Sequence, residues 1–148
     1  MSSWRDIASA EAQADLDSLL ETMLGFAQQQ LALHGEFFPY AAAIGQDGRL
    51  ELVGAAVEAQ DDRPASADVR EACFEALSSR RDEIRAGGVA ADVEVREPVA
   101  GDAIQVELEH AEGHALAVLF PYSKPAGDGP LEYGELSAHA GERRIWPL

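Results

Sequence analysis

The hydrophobic period changes partway along this chain, and that change limits what it can fold into. Between Leu16 and Leu31 the apolar residues Leu16, Leu19, Leu20, Met23, Leu24, Ala27 and Leu31 recur at intervals of three and four. That spacing places them on one stripe of a 3.6-residue helix. From Val89 onward the interval drops to two. Val89, Ala91, Val93 and Val95 alternate with Asp92, Glu94 and Arg96, and Ile104, Val106 and Leu108 alternate with Gln105, Glu107 and Glu109. A period of two marks a half-buried strand. A chain carrying both periods must lay helices on a sheet.

The punctuation between these segments sets an element order. Asp6, Glu11, Asp15 and Asp17 crowd the start of the first helix, where the helix dipole favours anions, and Gly35 is suited to a left-handed stop. Phe37–Ile44 and Leu50–Val57 are apolar runs of strand length joined by Gly45-Gln46-Asp47-Gly48, a hairpin signal. Asp61–Pro64 reads as a loop. A second helix is expected from Ser66 to Ala86, with Val69, Cys73, Ala76, Leu77 and Ile84 buried and Gly87-Gly88 ending it. Ala111-Glu112-Gly113 turns the strand ending at His110 into His114–Tyr122, and Gly113 supplies the left-handed position of a three-residue hairpin loop. The run Leu116–Phe120, with Ala115 and Ala117 on its second face, predicts burial on both sides. Ser123–Pro130 reads as a loop and Leu131–His139 as a last strand.

These readings predict one α+β domain over residues 1–148, with an antiparallel sheet of five or six strands. Two main helices are expected on one face, in the order α-β-β-α-β-β-β. That order is shared with the roadblock and profilin-like group of folds, an analogy of topology that licenses no function.

Composition then narrows the function. At 148 residues the chain is long enough to bury a core of its own. Asp and Glu total 27 against 11 Lys and Arg, for a net charge of −16. Such a surface repels phosphate backbones and anionic headgroups, so nucleic acid and membrane are excluded as expected partners. A basic protein patch fits it better. Cys73 is the lone cysteine, and the first residues lack a basic segment followed by an apolar run. The longest apolar stretches, such as Ala115–Phe120, fall far short of the roughly 20 residues of a membrane span. A cytoplasmic address is expected.

Few residues offer chemistry. His110 and His114 flank the hairpin loop as cross-strand neighbours, near enough to share a metal with Glu112 or Glu109 as a further ligand. They read equally as polar residues closing a strand end. His34 and Glu36 sit at a helix-to-strand junction and form a conceivable acid–base pair, or a capping histidine beside a solvated carboxylate. A small metal-dependent enzyme built on His34, Glu36, His110 and His114 is therefore one expectation. Cys73 lies on the apolar stripe and reads as core. Phe37, Phe38 and Tyr40 cluster around Pro39, and with Trp146 they are candidate interface residues. The clusters Arg80-Arg81 with Arg85, and Arg143-Arg144, are expected to pair with carboxylates. Dinucleotide, P-loop, nucleophile-elbow and Cys-x-x-Cys signatures are absent, and no cofactor is expected.

Several strings stand together in a familiar order: His34-Gly35-Glu36-Phe37-Phe38-Pro39-Tyr40, Asp47-Gly48, Asp102-Ala103-Ile104 through Leu108-Glu109-His110, Pro121-Tyr122 and Tyr133-Gly134. In this the chain resembles a group of short, uncharacterised bacterial proteins common in actinobacteria. The resemblance runs from the first helix to the final strand. It implies a bacterial cytosolic origin and no activity, cofactor or site. The leading expectation is a non-enzymatic protein-binding or regulatory domain acting as a homodimer, since an antiparallel sheet with helices on one face leaves its other face and its edges needing cover.

Overall fold

A computed structural model of the chain describes residues 8–37, 39–53, 66–95, 101–123 and 131–147. Among them are helices α1 (Ala10–His34) and α2 (Ser66–Ser79) and strands β1 (Tyr40–Gly45), β2 (Leu50–Val53), β3 (Ile84–Val95), β4 (Gly101–His110), β5 (His114–Ser123), β6 (Glu132–Tyr133) and β7 (Ser137–Ala140). The strands form one antiparallel sheet in the order β2-β1-β3-β4-β5-β6, with β7 also on β5. The α+β class and the antiparallel hairpins are those the two periodicities call for.

Helix α1 begins where Ser9, in an extended conformation, accepts the Ala12 N–H on its hydroxyl. It ends at Gly35, whose φ of 75° lets its N–H reach the Leu31 carbonyl. Leu16, Leu19, Met23, Ala27 and Leu31 are all buried. Full burial of a large apolar side chain contributes about 1.5–3 kcal/mol, enough to fix which stripe faces the sheet. The β1–β2 hairpin closes as expected, with Gly48 at φ 85° and Asp47 accepting the Arg49 N–H. Residues 54–57 of the expected strand, the 61–64 loop and the 124–130 loop lie outside the described residues.

Three features differ from expectation. Helix α2 stops at Ser79, a turn over 80–83 follows, and Ile84–Gly88 belong to β3. The Gly87-Gly88 pair therefore lies inside a strand. Its reason is steric: a Cβ on Gly87 would lie 3.0 Å from Ile145 Cδ1 and 3.4 Å from Leu77 Cδ1. One on Gly88 would lie 2.8 Å from Leu108 Cδ2 and 2.9 Å from Met23 Sδ. Side chains press on β3 from both sides, which leads to the second difference. The helices lie on opposite faces of the sheet rather than together on one. Ala42 and Ile44 of β1 pack with the α1 stripe, while Ala41 and Ala43 pack with Val69, Cys73, Phe74 and Leu77 of α2. An uninterrupted apolar strand such as Ala41–Ile44 is buried on both faces, as the strands of a covered central sheet are.

The third difference concerns the last strand, 131–139. It forms as β6 and β7, which share one side of β5 in registers one residue apart: Tyr122 faces Tyr133, whereas Leu119 faces Ser137. The extra residue falls between them, as in a bulged edge.

Candidate functional site

The β4–β5 hairpin turns through Ala111-Glu112-Gly113, with Gly113 at φ 107°, and this pairs His110 directly with His114. That juxtaposition was readable from the loop. What His110 does there was not. Its ring is buried beneath the start of α1, with Nε2 2.9 Å from Asp15 Oδ2, while Nδ1 accepts the Glu112 backbone N–H at 3.1 Å. These two bonds assign the proton to Nε2, which donates to Asp15. Both ring nitrogens are thus engaged. Asp15, also buried, receives Arg85 on both oxygens, Nε to Oδ2 at 2.9 Å and Nη2 to Oδ1 at 3.0 Å. That fork holds the Arg85 guanidinium pKa above its ordinary value. A bulge at Ile44/Gly45 shifts the β1–β3 register beside Arg85.

Glu112 is engaged too. Its Oε2 accepts the Ser9 hydroxyl at 2.6 Å, and that bond holds its carboxyl below the usual range. The set His110, Glu112, His114 is brought together, but two of its members are committed to α1. His34 and Glu36 are elsewhere: His34 closes α1, 19 residues past Asp15, or about 28 Å along the axis at 1.5 Å per residue. The four residues of the enzyme expectation do not converge. Among the described residues no group of three or more His, Cys, Asp or Glu could hold a metal ion.

On the opposite face, Glu109 is buried and accepts three backbone N–H groups from the C-terminal segment: Arg144 and Ile145 on Oε2, Trp146 on Oε1. The Arg144 side chain reaches Glu71 at 2.5 Å and lies 4.1 Å over the Phe74 ring. Arg70 Nη2 donates to both oxygens of Glu107, at 2.5 and 2.7 Å. Of the two basic clusters, Arg80, Arg85 and Arg144 pair with carboxylates as expected, and Arg70 does so as well, whereas Arg143 Nε is buried without a hydrogen-bond partner among the described residues. Glu109 is a clamp for the tail, not a spare ligand. Alternation puts it opposite His110, and nothing local announces a partner more than 30 residues away.

The aromatic candidates do not form one patch. Tyr40 donates its hydroxyl to the Met23 carbonyl and packs edge-on against Phe26 at 4.8 Å, with Phe37 at 5.8 Å. Burial pushes its phenol pKa up. Phe37 and Tyr40 belong to the α1 face and Trp146 to the α2 face; Phe38 lies outside the described residues. Cys73 is fully buried and its thiol is pushed up to about 11 by desolvation, which matches a core role.

The surface left open lies at the two ends of the sheet. Among the described residues no strand pairs with the outer side of β2 or of β7. Leu52 on β2 is 49% exposed, and Leu136, one residue before β7, is 46% exposed. Beside β7, between α1 and β5, a cavity of about 140 Å³ is lined by Leu16, Leu20, Leu116, Val118, Leu136 and Ala138, with Asp17 at its margin. On the other side of β5, Ala115, Ala117 and Leu119 are half-buried, so the two-sided burial expected for this strand is incomplete. Comparison with protein-family models, curated proteins and solved structures found no match.

Proposed function

We propose that this protein is a non-enzymatic binding domain that acts as a homodimer. One observation carries the proposal: among the described residues each end of the sheet finishes on an edge strand with an exposed leucine on or beside it. Unpaired strand edges expose rows of N–H and C=O groups that pair readily with another chain. The polar groups with catalytic potential support the same reading from the other side. Asp15, Glu109 and His110 are buried, and each is saturated by bonds within the fold.

We assign self-association to β2. Two copies each carrying −16 repel one another overall, so the contact must form where charge is locally balanced. The β2 edge is such a place, because Arg49 pairs with Asp47 and Arg80 with Glu51. A second copy laid along β2 about a two-fold axis would bring Leu52 of both chains out of water. The acidic surface favours protein over nucleic acid or anionic lipid as the further partner. No helix among the described residues is long and apolar enough to cross a membrane. A cytoplasmic address remains part of the proposal.

Sedimentation equilibrium at micromolar protein tests the dimer. Twice the chain mass of 15.8 kDa is expected, reverting to the single mass in Leu52→Glu. A monomeric wild type at that concentration removes the dimer from the account.

A further inference from the structure

We propose that β7 and the groove beside it bind an extended, basic peptide segment of a partner protein by strand addition. The proposal rests on the reading of the chain as a binding domain and names the occupant of its second edge.

The geometry of β7 is suited to strand addition. The Gly141 N–H bonds the Ala115 carbonyl at 3.0 Å, and the pairs Ala117–His139 and Leu119–Ser137 continue that register. Hydrogen-bonded pairs alternate along an antiparallel ladder, so Ser137 and His139 direct their main-chain groups at β5. Ala138 and Ala140 direct theirs outward. All four residues of β7 are exposed, and none is proline or a charged residue of the kind that blunts an edge. An incoming strand hydrogen-bonded opposite Ala138 and Ala140 would put its facing side chains on the α1 side of the sheet, where the groove opens. Apolar cavities of roughly 150 Å³ accept a benzene-sized group, and this groove has about 140 Å³ with an apolar floor of Leu116 and Val118.

Charge selects the occupant. Asp17 lines the groove, and Glu21 follows it one helical turn along α1 on the same side. Glu135 is exposed just before β7; after it Glu142 is followed by Arg143 and Arg144, so the acidic side is that of α1 and Glu135. No Lys or Arg lies between Leu131 and Ala140. A second copy would bring its own acidic margin against this one, whereas lysine or arginine side chains would meet Asp17, Glu21 and Glu135 along the groove. The fitting ligand alternates small aliphatic residues, seated over the groove, with basic ones.

Fluorescence anisotropy of a labelled synthetic peptide alternating valine and lysine, titrated with the full chain, tests this. Saturable binding is expected. Ala138→Pro should weaken it by about tenfold or more, because proline deletes an outward donor without changing charge. That N–H does not serve β5, so the variant should melt close to wild type, which confirms that it folds. A peptide of the same charge interrupted by proline should bind as weakly as the variant does to the parent peptide. Leu52→Glu should bind like wild type, which separates this surface from the dimer: a monomer that still binds the peptide removes the dimer and keeps the inference. Equal affinity for wild type and Ala138→Pro, or for the two peptides, would reduce the effect to unspecific charge attraction and overturn the proposal. Loss of self-association in Ala138→Pro would make a second copy the occupant of β7 and overturn it as well.

Discussion

Removing the Asp15 carboxylate would leave His110 Nε2 and the Arg85 fork without their acceptor inside a nearly closed site. Breaking a buried charge pair from one side typically costs about 3–5 kcal/mol. For a chain of this length each kcal/mol moves the midpoint by about 2–4 °C. Asp15→Ala is therefore expected to lower the thermal midpoint by about 6–20 °C, and Asp15→Asn, which keeps one acceptor oxygen, by less. A thermal melt of Asp15→Ala that overlays wild type would mean that the three side chains do not hold α1 to the sheet. The sequence makes part of this site legible. His110 and His114 face each other because a three-residue loop with Gly113 in the left-handed region leaves no other register. Asp15 could be read only as an anion near a helix start, since its partner lies 95 residues away. The same distance problem hid Glu109, whose acceptor role belongs to a tail folded back across the sheet.

At the scale of elements, the Gly87-Gly88 pair explains both the main success and the main error of the periodic reading. Strands with alternation, Ala91–Val95 and Ile104–Leu108, were identifiable because Asp92, Glu94, Gln105 and Glu107 take every second place and meet water or a polar partner. Ile84–Gly88 carries no such alternation, and a glycine pair after a helical stretch fits a helix stop as well as a strand squeezed between two layers. Tertiary packing decides it. The same squeeze explains why β1 reads as a run of small apolar residues: Ala41 and Ala43 face one helix, Ala42 the other. Gly88→Ala puts a methyl within 2.9 Å of Met23 Sδ and 3.2 Å of the Glu107 carbonyl. Overpacking of that kind costs about 1–3 kcal/mol. Denaturant unfolding of Gly88→Ala should show a loss of that size, and pairing it with Met23→Ala should cost less than the sum of the two single changes. Strict additivity would mean that α1 does not press on β3 at this point.

At the scale of the molecule, two observations work together: among the described residues the sheet is closed on both faces by helices at its centre and left open at its ends. Closed faces follow from the continuous apolar runs of β1. Which strands stand at the open ends could not be read from sequence, because alternation reports which face of a strand is buried and not whether a neighbour lies beside it. Nothing in the sequence separates Leu52 and Leu136 from the other leucines; they share their exposure with Leu33 of α1, and their place on or beside an edge strand sets them apart. Net charge of −16 makes the choice of partner at each end a question of local balance, with paired arginines near β2 and the carboxylates Asp17, Glu21 and Glu135 along the groove beside β7. Amide hydrogen exchange across β2 and β7, followed at low and at high micromolar protein, tests this arrangement most directly. The account expects β2 amides to slow as concentration rises while β7 amides keep their rate. Rates at β2 that ignore concentration would leave that edge without a partner in solution and contradict the account at its centre.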